Sequence, residues 1–168
     1  LILKTKGELK EAINSYQNAI NLKPDHQNAH NNLGNAFQEM GEHNASIQCF
    51  QKALKLNPNF AAAHYNLGNT FRELGDINTS INCYKKALRI KPDFELAHYN
   101  LAISFKTKGD LKAAINSYQK TINLNPNNKA AYYNLGHAIF LTGNDYQKAW
   151  LNYEYRFIKT EAPVIPHA

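Results

Sequence analysis

The sequence predicts an all-α fold built as a solenoid of antiparallel helix pairs, and three observations carry that prediction. Proline stands at Pro24, Pro58, Pro92 and Pro126, and glycine at Gly7, Gly41, Gly75, Gly109 and Gly143, so both recur every 34 residues. Between these marks the apolar residues fall at helical spacing, and a period of 34 residues holds two short helices and two turns. A helix pair of that size leaves one apolar face open unless a neighbour stacks on it, which favours a quasi-linear array.

The elements follow in order. A first helix is expected at about 8–21, between Gly7 and Pro24. Helix pairs then run at about 27–40 with 43–56, at 61–74 with a helix carrying Ile77 to Leu88, at 95–108 with 111–124, and at 129–142 with 145–158. In the repeat at 61–94, His64, Leu67, Gly68, Phe71 and Leu74 share one face of the first helix. Ile77, Ser80, Ile81, Tyr84, Ala87 and Leu88 share one face of the second. Gly75 ends the first helix because glycine accepts left-handed backbone. Proline disfavours helical backbone in the residue before it, so the second helix must stop ahead of Pro92. Gly68 and Ser80 are small where the two helices should cross, while Phe71 and Tyr84 supply bulk, and truncating Phe71 to alanine is expected to cost ~3–5 kcal/mol. After Gly143 the turn is one residue longer, which puts Ala149 at the small position and Tyr153 at the aromatic one. Trp150, Tyr153, Tyr155 and Phe157 make the last helix wide and aromatic, fit to cap the array or to dock on a following domain. The closing Ala162-Pro163-Val164-Ile165-Pro166 reads as an extended exit.

Within the repeats, the triplets Asn32-Leu33-Gly34, Asn66-Leu67-Gly68, Asn100-Leu101-Ala102 and Asn134-Leu135-Gly136 recur in register. Phe37, Phe71 and Phe105 form an aromatic row, Ser46, Ser80 and Ala114 a small one, Phe50, Tyr84 and Tyr118 a second aromatic row, and Ala53 and Ala87 an alanine row. In this combination the chain resembles the tetratricopeptide repeat over nearly its whole length. It departs from that pattern at Thr121, which replaces the alanine, and at His30, His64, His98 and Tyr132, which stand where the family usually has tryptophan. The resemblance implies a right-handed superhelical solenoid whose first helices line a concave groove. It divides the array, residues 1–162, into a partial repeat at 1–26, repeats at 27–60, 61–94 and 95–128, and a divergent last repeat at 129–162, with an extended tail at 163–168.

Composition narrows the function. The chain has 168 residues and is 43% hydrophobic and 19% charged, ordinary for a folded protein, and no apolar run approaches the ~20 residues of a membrane span. No membrane association is expected. The chain lacks an initiator Met and enters the pattern in the middle of a helix, so it is expected to be a piece of a longer protein. Cys49 and Cys83 occupy equivalent positions of adjacent repeats, roughly 10 Å apart by ordinary helix packing, beyond disulfide reach. Free thiols fit a reducing, cytoplasmic setting. The net charge of +6 arises from 19 Lys and Arg against 13 Asp and Glu. Lys52, Lys55, Lys85, Lys86, Arg89, Lys112 and Lys120 fall on second helices and suggest a basic outer face. No Lys/Arg cluster lies beside stacking aromatics, so nucleic acid is not the expected partner. His30, His64 and His98 are one repeat position seen three times, at a spacing no single tetrahedral metal site could use. There is no phosphate loop, nucleophile elbow or paired carboxylate, with Glu39 and Glu73 reading as groove-edge charges, so no enzyme activity, cofactor or small-molecule substrate is expected.

The informative positions are those that core packing leaves over. Tyr65, Asn66, Asn69 and Arg72 lie roughly opposite Leu67, Gly68 and Phe71 on their helix. Across repeats this face carries Asn32, Asn66, Asn100 and Asn134 in one row. Asn31, Tyr65, Tyr99 and Tyr133 form a second, and Asn35, Asn69, Ile103 and His137 a third. An asparagine amide both donates and accepts hydrogen bonds, so a row of them could clamp an extended peptide backbone, and tyrosines add contact area. The asparagine row resembles the ladder of protein O-linked N-acetylglucosamine transferases, which hold substrate peptide by its backbone. The competing reading is that 23 of 168 residues are Asn and that duplicated repeats copy their surfaces. A chaperone-tail carboxylate clamp is not expected, since Asn31, Tyr65 and Tyr99, then Ala62 and Leu96, and then Asn100 hold the positions of its cations. The sequence therefore predicts a non-catalytic module binding an extended peptide or a partner helix. Asn32, Asn66, Asn100 and Asn134 would bond the backbone, with Asn35 and Asn69 beside them. Tyr65, Tyr99 and Tyr133 would give area, and Arg72 and Lys106 would meet acidic side chains. The alternative is the substrate-recruiting arm of a larger, glycosyltransferase-like transferase, suggested by Trp150 and the Tyr153-Glu154-Tyr155-Arg156 segment. A third reading is self-association through exposed solenoid ends.

Overall fold

A computed structural model describes residues 2–143 and 145–155, with side chains from residue 7 onward. The described residues form nine helices and no strand: α1 (Ile2–Leu22), α2 (Gln27–Glu39), α3 (His43–Leu56), α4 (Ala61–Glu73), α5 (Ile77–Ile90), α6 (Glu95–Lys108), α7 (Leu111–Leu124), α8 (Lys129–Thr142) and α9 (Tyr146–Glu154). These bounds agree with the expected pairs to within a residue or two, apart from the two ends. Arg156, Phe157, the end of the last expected helix and the tail at 163–168 lie outside the described residues. The turn expected at Gly7 does not form, because α1 runs through it as one helix, and the described glycines with positive φ are Gly41, Gly75, Gly109 and Gly143. Continuing the helix through Gly7 adds a backbone hydrogen bond per residue.

The four turns that do form share one chemistry. Gly75 takes φ +82°, its N–H donates to the Arg72 carbonyl at 3.0 Å, and the Asp76 N–H donates to the Phe71 carbonyl at 2.9 Å. Asp76 then caps α5, its Oδ1 accepting from the Thr79 N–H at 3.0 Å, and the bonds from Thr79 hold its carboxyl below the usual range. Asp110, Asn128 and Asp145 cap α7, α8 and α9 in the same way, at 3.1, 2.9 and 2.8 Å.

The histidines at the family's tryptophan position prove to be turn locks. Nε2 of His30 donates to the Pro24 carbonyl at 2.9 Å, and Nε2 of His64 to the Pro58 carbonyl at 3.1 Å. Each bond ties the first turn of a helix to the proline that ended the previous one.

The described chain divides between Pro92 and Asp93 into two compact units. In the first, α1 to α5 stack in chain order, each helix against the next, and α2 also reaches α4. In the second, α6 to α9 stack likewise. The core of the first unit runs from Ile13, Leu33 and Ala36 to Phe50, Leu67 and Cys83. That of the second gathers Ala102, Ala114, Tyr118, Tyr132, Leu135 and Ile139. Helices cross where the side chains are smallest. A Cβ at Gly68 would stand 2.7 Å from the Tyr84 ring, and one at Gly34 would stand 2.6 Å from the Phe50 ring. Phe50 and Tyr84 are completely buried, whereas Phe71 is only half-buried against Phe50, Leu67 and Cys83, so the large truncation cost moves from Phe71 to Tyr84. Cys49 and Cys83 are free thiols that burial pushes up to about 11. Among the described residues no helix is long and apolar enough to cross a membrane, and no group of three His, Cys, Asp or Glu could hold a metal ion.

Two stability predictions follow from these contacts. Gly68→Ala should lose ~1–3 kcal/mol in urea unfolding because the Tyr84 ring must move, while Gly7→Ala, with nothing within 4 Å and helical backbone, should gain ~0.4–1 kcal/mol. The imidazole of His64 is held below its ordinary 6.5 by burial first and then by the charges of Lys86 and Arg89, against the raising effect of the Pro58 bond. Its contribution is therefore complete above pH 6.5 and is lost as pH falls from there through the lower folded value. The difference in melting temperature between the parent and His64→Gln should shrink between pH 7.5 and 5; a constant difference would count against the assignment.

Candidate functional site

In each unit the first-helix faces carry a polar network that hangs on the buried aromatics beneath. In the first unit the Tyr65 and Tyr84 rings lie 5.9 Å apart, and the Tyr84 hydroxyl donates to Oδ1 of Asn69 at 2.7 Å. Burial pushes the Tyr84 phenol up to about 12, with a hydrogen bond from Arg72 pulling the other way. Arg72 is half-buried, its Nε is enclosed with no acceptor, and it forms no ion pair among the described residues. In the second unit the Tyr99 and Tyr118 rings are again 5.9 Å apart, and those of Tyr133 and Tyr153 5.5 Å, so Tyr153 does hold the aromatic position read for it. Ile103 replaces Asn69 there, and the enclosed Tyr118 hydroxyl has no partner among the described residues.

The asparagine row is not uniform. Nδ2 of Asn66 donates to Oδ1 of the buried Asn31 at 3.1 Å, and Nδ2 of Asn31 to Oδ1 of the exposed Asn32 at 3.4 Å. Asn134 gives Nδ2 to the Tyr99 hydroxyl at 3.0 Å and to the Ala130 carbonyl at 2.9 Å, while its Oδ1 accepts from Nζ of Lys106 at 2.9 Å. Asn134 is thus used up internally, whereas Asn66 retains its Oδ1 and the half-buried Asn35 makes no side-chain bond at all among the described residues. Asn100 is half-buried in the second unit, and Tyr133 is 40% exposed.

Sequence reasoning passed over the partners of these residues. Asn31–Asn66, Gln38–Glu73 and Tyr99–Asn134 are each separated by 35 residues, one more than the repeat. Glu73 accepts from Gln38 at 2.9 Å and stands 3.7 Å from His43, so it ties neighbouring repeats together rather than serving only as a groove edge. A search for polar pairs at one period plus one would have found all three.

The aromatic last helix builds a pocket of about 360 Å³ between α8 and α9, with Tyr133, Gly136 and Phe140 on one side and Tyr146, Trp150 and Tyr153 on the other. One repeat earlier the matching residues Tyr99, Ala102, Ile103, Ala114 and Tyr118 join α8 in a single core, so this pocket is the stacking face of the last hairpin.

Helix pairs, left-handed glycine turns and inter-repeat bonds one period plus one residue apart describe one repeat architecture, and the TPR repeat family matches it at residues 1–41, 34–71, 68–109 and 104–143. The chain belongs to the tetratricopeptide repeat family. Among solved structures it is similar to a MamA crystal structure, at 25% identity and a TM-score of 0.83, covering 92% of this chain and 90% of that one. MamA of Desulfovibrio magneticus RS-1 is 20% identical with a TM-score of 0.81, covering 91% of this chain and 86% of that one. YrrB, described as a TPR protein with an unusual peptide-binding site, is 20% identical with a TM-score of 0.75, covering 93% and 80%. No curated protein matches the sequence. Tetratricopeptide pattern positions 69 and 103 differ in the way that decides the tyrosine beneath each. Tyr84→Phe should therefore cost ~1 kcal/mol in chemical denaturation, and Tyr118→Phe should be neutral or stabilising, because only the first removes a satisfied hydroxyl.

Proposed function

We propose that this tetratricopeptide array is a non-catalytic protein-interaction module that takes an extended peptide or a partner helix on its first-helix faces. The observation that carries the proposal is Arg72. A half-buried guanidinium with an enclosed, unbonded Nε and no carboxylate partner is costly in an isolated fold, and a ligand carboxylate would supply both missing terms. Around it Asn35 is unengaged, Asn66 offers its Oδ1, and Tyr65 gives a flat edge. Together they fit a segment with one acidic side chain and a backbone open to amide contacts. In the second unit Lys106 is bonded to Asn134, so that face would bind through Tyr133, Tyr99 and Asn100 more than through charge.

The test is selection of linear peptides from a random library on the parent chain, followed by titration of the winners against Arg72→Gln and Asn35→Ala. An acidic residue should be enriched at one position, and Arg72→Gln should weaken those peptides by ~10–100-fold at an unchanged melting temperature. Winners with no acidic preference, or equal affinity for the variant, would remove Arg72 and this reading of the face.

A further inference from the structure

A different surface of the first unit has the make-up of an anion site. A hollow of about 710 Å³ is enclosed by Leu54 near the end of α3, Pro58 and Asn59 in the following turn, His64 in α4, and Lys86, Arg89 and Ile90 in α5. No carboxylate lines it. Lys86 and Arg89 are exposed and make no ion pair among the described residues. A second hollow along α5 is bordered by Asn82, Leu88 and these same two cations, so the positive strip extends beyond a single ion's reach. We infer that this strip binds an acidic segment of a partner protein, with Lys86 and Arg89 gripping successive carboxylates and His64 acting as a third, proton-dependent donor.

Each part of the hollow has a role in that assignment. Leu54, Pro58 and Ile90 give an apolar floor for the methylene stems of glutamates. No Phe, Tyr or Trp lines the hollow and its one ring, His64, is tied to the Pro58 carbonyl, so nucleic-acid bases have little to stack on, which favours a protein segment. The corresponding hollow of the second unit is lined by His98, Asn116, Gln119, Lys120 and Asn123, and there Asn123 stands where Arg89 does. One repeat earlier Lys52 and Lys55 hold these two places, so the doubled charge belongs to the first unit's repeats and is lost in the second.

His64 adds a proton switch. Its Nε2–H is committed to the Pro58 carbonyl, so Nδ1 is an acceptor in the neutral ring and a donor only in the protonated one. The charged groups facing it are Lys86 and Arg89 from α5, while α3 and the turn contribute only Leu54, Pro58 and Asn59. Both cations disfavour its protonation, and a bound carboxylate would reverse that balance, so binding and protonation should strengthen each other.

The experiment is fluorescence anisotropy of labelled hexaglutamate with the full chain at pH 6.0 and 7.5 in low salt. It is paired with NMR titration of the His64 ring with and without the peptide. Lys86→Gln/Arg89→Gln should weaken binding by about tenfold or more, whereas Lys112→Gln/Lys120→Gln, which removes the same charge elsewhere, should leave it nearly unchanged. Hexaglutamate should raise the His64 titration midpoint, and His64→Gln should abolish the tighter binding at pH 6.0. Equal losses in the two double variants would show attraction to net charge alone. An unmoved His64 midpoint would remove His64 from the site. Tighter binding of hexathymidylate than of hexaglutamate would replace the acidic protein segment by nucleic acid. The first and last of these outcomes overturn the inference as a whole; the second overturns its proton-dependent part.

Discussion

The close crossing of the two helices in each hairpin is the constraint from which the rest of the molecule follows. Neither Gly34 nor Gly68 has room for a Cβ, because the rings of Phe50 and Tyr84 lie directly against the backbone there. In the last hairpin the approach is closer still, backbone against backbone, since a Cβ at Gly136 would stand 2.7 Å from the Ala149 carbonyl oxygen. An interior this tight admits one arrangement of side chains. Once the crossing is fixed, so is the rotation of the first helix, and with it the set of residues left pointing away from the core.

That rotation links the core to the polar face through single rings. Tyr84 is completely buried, yet its hydroxyl emerges beside Asn69 and Arg72 and organises both. Tyr118 occupies the same place one repeat on, but Ile103 offers its hydroxyl nothing, and the network there is drawn instead by Lys106, Asn134 and Tyr99. Two repeats with the same packing therefore present different chemistry. One leaves a guanidinium uncompensated, whereas the other satisfies its cation internally. Duplication alone would have left the faces alike, so the two repeats have diverged at this face.

The fold was legible because its determinants are local and repeated. Glycine at 75 needs left-handed backbone, Asp76 caps the next helix, and Pro92 follows its end, and each of these acts within a few residues. Gly7 misled because glycine permits left-handed backbone without requiring it, and here the residue stays helical within α1. The face was legible only in outline. Period and helical spacing located the rows of asparagine and tyrosine, but which amides were already occupied depends on bonds between residues 35 apart, a separation set by stacking and invisible to a 34-residue alignment. The turn-locking role of His30 and His64 was hidden for a similar reason, since it depends on a carbonyl that no side-chain pattern reports.

The two charged regions of the first unit follow from opposite solutions to one problem. On the first-helix face Arg72 is sheltered, so its charge is little screened and its geometry is held by Tyr84, which suits recognition of one side chain in one place. On α5, Lys86 and Arg89 are exposed, and ionic strength weakens whatever they hold, which suits capture and steering of a segment whose register is loose. In neither region do these cations form an ion pair among the described residues, although the chain has 13 acidic residues to place. On the proposed reading a partner's carboxylates supply what the array leaves out, at one fixed point on the first-helix face and along a looser strip on α5.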